Sequence, residues 1–336
     1  MLRNSIRFAA CLVVLAAGPG ADAQLTTERG ASILVFPKVI ADGAADTVVQ
    51  LVNLSDNGVD VDCTYLDGAS AGWQALAFSV ALGAQRPLHW TAARGRTAAA
   101  GEDPVDIPAA PPSFRGELLC VQVDGTGAPF GGNGLAGQAT VADLASGDVA
   151  AYTAVGLRGS GLNDGDDVLC IGGEPSDNCL VGAEYDACPA EWILSLPADG
   201  APDPQLGAGA SLATHLAVAP CSQNLRDAMP GAVDIEISVF NEMAEQFTGR
   251  ASVTRWADLS LADVGAQIFT RGVLGTDFAE ARLRPAAGSG GFMLVAETTR
   301  ATGGSSPAAS SVGINLHPSG SGGPSDLIVL PASRTP

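Results

Sequence analysis

The 336-residue chain carries 36 acidic against 17 basic residues, for a formal net charge of −19 at pH 7. Such a chain is repelled by nucleic acid and by anionic membrane surfaces, which excludes both as default partners. Its length exceeds what one average hydrophobic core serves, so the expectation is two domains.

The N-terminus sets the compartment. Arg3 and Arg7 flank the start of an apolar run over 8–17, and Ala21-Asp22-Ala23 supplies a small-residue cleavage site before Gln24. A run this short reads as a secretory signal peptide, with cleavage near Ala23, rather than as a spanning helix. Cys11 lies inside the run instead of just after it, which argues against lipidation. No later stretch reaches the roughly 20 apolar residues that cross a bilayer.

Beyond it the pattern is β throughout. Short apolar or alternating runs at 32–40, 48–54, 59–66, 116–123, 139–142, 150–157, 213–220, 233–240, 249–256, 291–297, 311–317 and 326–330 are separated by Gly, Pro, Asn and Asp. This predicts an all-β chain of two immunoglobulin-like sandwich domains in tandem. The first would span 24–196 with a long loop at 91–113. The Pro- and Gly-rich stretch 197–209 reads as a linker, and the second domain would span 210–336.

The segment 47–66, TVVQLVNLSDNGVDVDCTYL, predicts a hairpin, because Asn57-Gly58 between alternating runs is a strong turn signal. A three-residue loop with Gly58 left-handed would set Leu51 opposite Cys63 and Val49 opposite Tyr65, gathering the apolar residues on one face. Asp60, Asp62 and Thr64 would face outward. The segment 233–256 repeats the scheme: an alternating run reaches Asn241, then a turn, then a second run ending at Trp256. The halves therefore read as a diverged repeat, with chance agreement between generic strands as the alternative.

Six cysteines follow the apolar leader: Cys63, Cys120, Cys170, Cys179, Cys188 and Cys221. An even count in an exported chain, with no C-x-x-C, argues for disulfides over zinc or redox chemistry. The connectivity stays open. The preferred scheme pairs Cys63 with Cys120 as a sandwich bridge, Cys170 with Cys179 around a turn, and Cys188 with Cys221 across the linker.

Candidate chemistry is sparse. Gly68-Ala69-Ser70-Ala71-Gly72 matches the G-x-S-x-G elbow, but no helix pattern follows, so Ser70 reads as a loop residue. His89, His215 and His317 share no metal-ligand spacing. The acidic turn 163–167 has oxygen ligands suited to calcium but fails the EF-hand spacing, and reads as a solvated turn. Trp73, Trp90, Trp192 and Trp256 are isolated and read as packing residues. No catalytic, cofactor-binding or metal-binding residue is assigned, and no cofactor is expected.

The segments ASILVFPKVIADGAADTVVQLVNLSDNGVDVDCTYLDG, FRGELLCVQVDGTGAP and GDVAAYTAVGL, with ACPAEW, THLAVAPCSQN, VFNE and DLIVLP further on, resemble a family of uncharacterised secreted bacterial proteins. The first of them is also distantly similar to the immunoglobulin-like domain of periplasmic pilus chaperones. The first resemblance implies the fold and no site. The second implies a chaperone-type protein that covers a strand edge, for which Lys38 and Arg115 would be the basic anchors. The expected function is a non-catalytic secreted or cell-envelope protein, a structural, adhesion or binding module. Its partner would be an unknown protein or cell-surface ligand. The chaperone is the first alternative and a hydrolase using Ser70 the second.

Overall fold

The computed structural model describes residues 29–331 apart from 71, 99–104, 146, 148, 205–206, 265–266, 303–304 and 310–322. The leader, the run at 311–317 and His317 lie outside the described residues. The regular structure among the described residues is almost entirely strand, paired antiparallel except for one short parallel pair, with one four-residue α-helix and one turn of 3-10 helix.

The first nine strands are β1 (Ile33–Ala41), β2 (Ala45–Asn53), β3 (Val59–Asp67), β4 (Ala75–Leu82), β5 (Pro87–Thr91), β6 (Phe114–Val123), β7 (Leu135–Asp143), β8 (Val149–Thr153) and β9 (Val155–Leu157). They pair as two layers, β4-β3-β6-β1-β9 and β5-β2-β7-β8, joined where β1 turns into β2 at Ala41 and Asp46. Bonds cross the gap between the layers: Trp90 Nε1 donates to the Tyr65 hydroxyl at 2.7 Å, and the Tyr152 hydroxyl donates to the Lys38 carbonyl at 2.5 Å. Phe36 reaches across to Gly137, where a Cβ would sit 2.6 Å from the ring. These buried aromatics satisfy their polar tips inside the core, as buried Tyr and Trp must.

The expected hairpin at 47–66 does not form. β2 pairs with β5 and β7, while β3 pairs with β4 and β6 in the opposite layer. The turn between them is an arch, and Gly58 is not left-handed there. Leu51 sits opposite Leu88 and Gly137, and Cys63 opposite Cys120 and Phe78. Asp60 and Asp62 do face solvent, but Thr64 is buried, because from Cys63 onward β3 is covered on both faces.

The remaining elements are β10 (Val168–Ile171), β11 (Trp192–Pro197), β12 (Ala201–Asp203), β13 (Gly207–Pro220), β14 (Gln223–Asn224), β15 (Ala232–Asn241), β16 (Gln246–Thr254), β17 (Ala257–Ser260), α1 (Arg271–Leu274), β18 (Phe278–Pro285), β19 (Phe292–Thr302), β20 (Ser305–Ala309) and β21 (Asp326–Val329). β11-β18-β15-β16 form one sheet, and β12-β13-β19-β20 with β17 another. The two face each other across Trp192, whose Nε1 donates to the Phe292 carbonyl at 2.9 Å. Here the Asn-turn segment does make a true hairpin, with β15 and β16 in unbroken register from Ala232–Thr254 to Phe240–Gln246. β10, β21 and β14 make a small third sheet that ties both halves of the chain together.

Strand pairing bears on the expected boundaries. β11, placed before the boundary at 196/197, pairs along its length with β18. The stretch 197–209 holds β12 and the start of β13, which pair with each other. The buried side chains of both halves belong to one contiguous cluster. The β1 layer and the β13 layer meet as the two inner layers, with β1 packed against β13 and β19.

Candidate functional site

The seam between the two inner layers concentrates the buried polar chemistry. β1 is buried along all nine residues, because Phe36 enters the first core while Val35 and Lys38 turn toward the second half. A register shift between Phe36 and Val39 makes room for this. Lys38, the only lysine of the chain, is 5% exposed. Its Nζ lies 2.6 Å from Glu297 on β19 and 3.3 Å from Asp258 on β17. His215 on β13 flanks the cluster, with Nδ1 3.8 Å from Asp258 Oδ1. Around it, Trp256 Nε1 donates to the Pro37 carbonyl at 2.6 Å, and an Arg255 N–H donates to the Ser70 carbonyl at 2.9 Å. Gly68 is required at this joint, because a Cβ there would lie 2.3 Å from Trp256 Cβ.

A second buried group faces the same seam. Glu117 on β6 lines a small cavity with Val35, Leu119, Gln223, Met293 and Ile328, and accepts a hydrogen bond from Gln223 Nε2. Burial pushes the Glu117 carboxyl up to about 8, against the lowering effect of that bond. Gln223 Oε1 makes no hydrogen bond. A protonated Glu117 would carry a donor of the kind that Gln223 Oε1 lacks among the described residues.

The bridges are Cys63–Cys120, Cys170–Cys179 and Cys188–Cys221. Cys63–Cys120 does not join two sheets, as a sandwich bridge would. It lies between directly paired residues of neighbouring strands β3 and β6, with Cα atoms 4.0 Å apart. Cys188–Cys221 joins the segment before β11 to the end of β13. Both sulfurs lie within 4.8 Å of a buried Asp326 carboxylate oxygen, but they are bonded to each other and are not free as ligands.

The remaining candidates are dispersed. Ser70 Oγ makes no hydrogen bond among the described residues, and the neighbouring Asp67 Oδ1 instead accepts from the backbone of Ala69 and Ser70. His89 is exposed on β5. In the turn 163–167 the side chains of Asn163, Asp164 and Asp166 cap backbone N–H groups, while Asp167 pairs with Arg226 at 3.1 Å. Arg115 pairs with Asp42 at 2.8 Å. Trp90, Trp192, Trp73 and Trp256 are all buried.

Sequence reasoning passed over the outer face of the β11-β18-β15-β16 sheet. Ser195, Phe240, Glu242, Phe278, Glu280 and Arg282 line an open cleft of about 450 Å³ there. Arg282 lies over the Phe240 ring at 5.6 Å and bonds to Glu280 at 2.9 Å. Met243, Val273 and Phe278 stand exposed nearby. β18 was missed as a strand because FAEARLRP is rich in Ala, Glu and Arg, poor strand formers. Its alternation of Ala279, Ala281 and Leu283 inward with charges outward was the available signal.

No known protein family matches the chain, and no curated protein does. Among solved structures, it is similar to the crystal structure of Thermotoga maritima 1070, at 15% identity and a TM-score of 0.28. That likeness covers 40% of this chain and 98% of the other. It is also similar to the N-terminal CBM22-1-CBM22-2 tandem domain of Paenibacillus barcinonensis Xyn10C, at 8% identity and a TM-score of 0.18, covering 82% and 84%. At these TM-scores neither likeness carries an argument about function. Among the described residues no helix is long and apolar enough to cross a membrane.

Proposed function

We propose that the chain is an exported, non-catalytic protein of the cell envelope or exterior, a binding or structural module. In this reading the leader is removed near Ala23, and the three disulfides brace the fold in an oxidising compartment. The recognition surface is the outer face of the β11-β18-β15-β16 sheet, and the partner is a protein or cell-surface ligand. The observation that carries it is the exposed apolar group Met243, Val273 and Phe278 beside an open cleft holding Phe240 and Arg282. Clustered exposed apolar side chains with a polar rim mark interaction sites, and aromatic and Arg residues are the usual anchors.

The chaperone alternative gains nothing from its two basic residues. Lys38 is buried and ion-paired, and Arg115 is engaged by Asp42, so neither stands free to hold a client carboxylate. The hydrolase alternative lacks a base bonded to Ser70. The test is co-sedimentation of the purified protein with envelope fractions, comparing wild type with Phe278→Ser combined with Met243→Ser. Retention of the wild type with a tenfold or greater loss in the variant supports the reading. Equal retention of both, or stoichiometric fluorophosphonate labelling that Ser70→Ala abolishes, overturns it.

A further inference from the structure

We propose that Lys38 and Asp258 condense into an intramolecular side-chain amide, with Glu297 relaying the protons, so that the two halves of the molecule become covalently joined at their seam. Three observations point to it. The only lysine of an otherwise arginine-based chain is placed on a strand buried on both faces, where it can make no contact with solvent-borne partners. Two carboxylates from different strands converge on that one amine. They also differ in geometry: Glu297 sits at hydrogen-bonding distance, 2.6 Å from Nζ, whereas Asp258 stands off at 3.3 Å.

That difference assigns the roles. A proton acceptor belongs within about 2.6–3.2 Å of the proton that it takes, which fits Glu297. The attacked acyl group is then the other carboxylate, Asp258, whose Oδ2 stands 3.3 Å from Nζ and is not drawn up as the tight proton acceptor. Asp258 Oδ1 is buried and makes no hydrogen bond among the described residues, so its lone pairs are open to the protons with which it departs. The driving force is also local. A buried ion pair carries the desolvation cost of its charges, and condensation removes one positive and one negative charge from the seam.

The step balances without any outside reagent. The Lys38 nitrogen forms a bond to Asp258 Cγ and gives up two of the three protons of its ammonium. Glu297 takes each proton in turn and passes it to one Asp258 oxygen. The C–O bond to that oxygen breaks and it departs as water, leaving Glu297 ionised as it began. Holding amine and carboxyl in one buried geometry supplies the effective molarity that the uncatalysed reaction lacks.

The experiment uses the full exported chain. After complete reduction and unfolding, a lysine-specific protease cuts a chain with a free Lys38 into two pieces. The expected result is resistance to that protease and an intact mass one water below that of the reduced sequence. Arginine-specific digestion should then yield a branched peptide joining the Lys38 and Asp258 segments. Glu297→Gln should restore both the cut and the missing water. Clean cleavage of the wild type at Lys38, an undiminished mass, or a branch at Glu297 in place of Asp258 would each overturn the proposal. The wild-type measurements decide it even if the variant fails to fold.

Discussion

Asn53 and Asn241 close the same sequence pattern in two opposite ways. Each ends an alternating strand and is buried, and each side-chain carbonyl accepts from the backbone two residues on: Ser55 N at 2.8 Å and Met243 N at 3.0 Å. The amide nitrogens part company. Asn53 donates to the Asn57 and Gly83 carbonyls and so clamps an arch that carries the chain from one layer to the other. Asn241 donates to Glu245 within its own hairpin and to the Leu274 carbonyl of α1. An Asn-turn therefore fixes that the chain reverses, and the strands on offer decide with whom it pairs. In the first half β4 and β6 outcompete β2 for β3, because Cys63 finds Cys120 there and Tyr65 finds the aromatic neighbours Phe78 and Phe114.

The largest effect is expected where the two halves meet. Lys38→Ala leaves Asp258 and Glu297 buried without a cation, and breaking such a group by removing one partner costs about 3–5 kcal/mol. Denaturant unfolding should show that loss. The triple variant Lys38→Met, Asp258→Asn, Glu297→Gln should recover the part of the loss due to unpaired charge, but not the part due to the Lys38–Asp258 amide, which it cannot form. No recovery at all would mean that unpaired charge contributes nothing to the loss.

The two asparagines come next. Asn53→Ala strands the Asn57 and Gly83 carbonyls and the Ser55 N–H, three part-buried groups, at about 2–3 kcal/mol together. Asn241→Ala should cost about 1–2 kcal/mol, because a hairpin in continuous register holds itself closed and Glu245 remains at the turn. Equal losses in urea melts would erase the distinction between arch and hairpin.

Much of this was legible in the sequence, though unevenly. A short apolar run located β1, alternation located β2, β3, β15 and β16, and the even cysteine count pointed to bridges. Partnership was not legible: the inward residues of β2 and β3 satisfy a hairpin and an arch equally well, since alternation fixes a strand's faces and not its neighbours. The candidate cleft was hidden for a related reason. Phe240, Arg282 and Ser195 lie on three strands and share a face only through the register of β11, β18 and β15. Lys38 was singled out, but as a surface anchor. Its burial depends on β1 being covered by the second half.

A milder effect is expected from Glu117. Its folded carboxyl titrates near 8, above the ordinary 4.5 of the unfolded chain, so the folded state holds the extra proton between those values. Its contribution is complete below pH 4.5 and falls as pH rises toward 8, by an amount on the order of a few kcal/mol. Glu117→Gln should flatten that slope in melts across pH 5–9; an unchanged slope would place the titrating group elsewhere. Smallest of all, Ser70→Ala should change stability by no more than about 0.5 kcal/mol, since its hydroxyl makes no hydrogen bond among the described residues for the change to break. A larger loss in the same melts would show a partner at that loop.

The central claim is that the two halves, despite their different turns, behave as one body because the β1 layer is sealed against the β13 layer at Lys38. Native-state hydrogen exchange of the intact disulfide-bonded protein tests it most directly, by comparing opening free energies of the amides in β3 and β6 with those in β13 and β19. The account predicts one common global opening for both sets, split apart by Lys38→Ala. Two distinct openings in the wild type, with one half exchanging while the other stays protected, would contradict it.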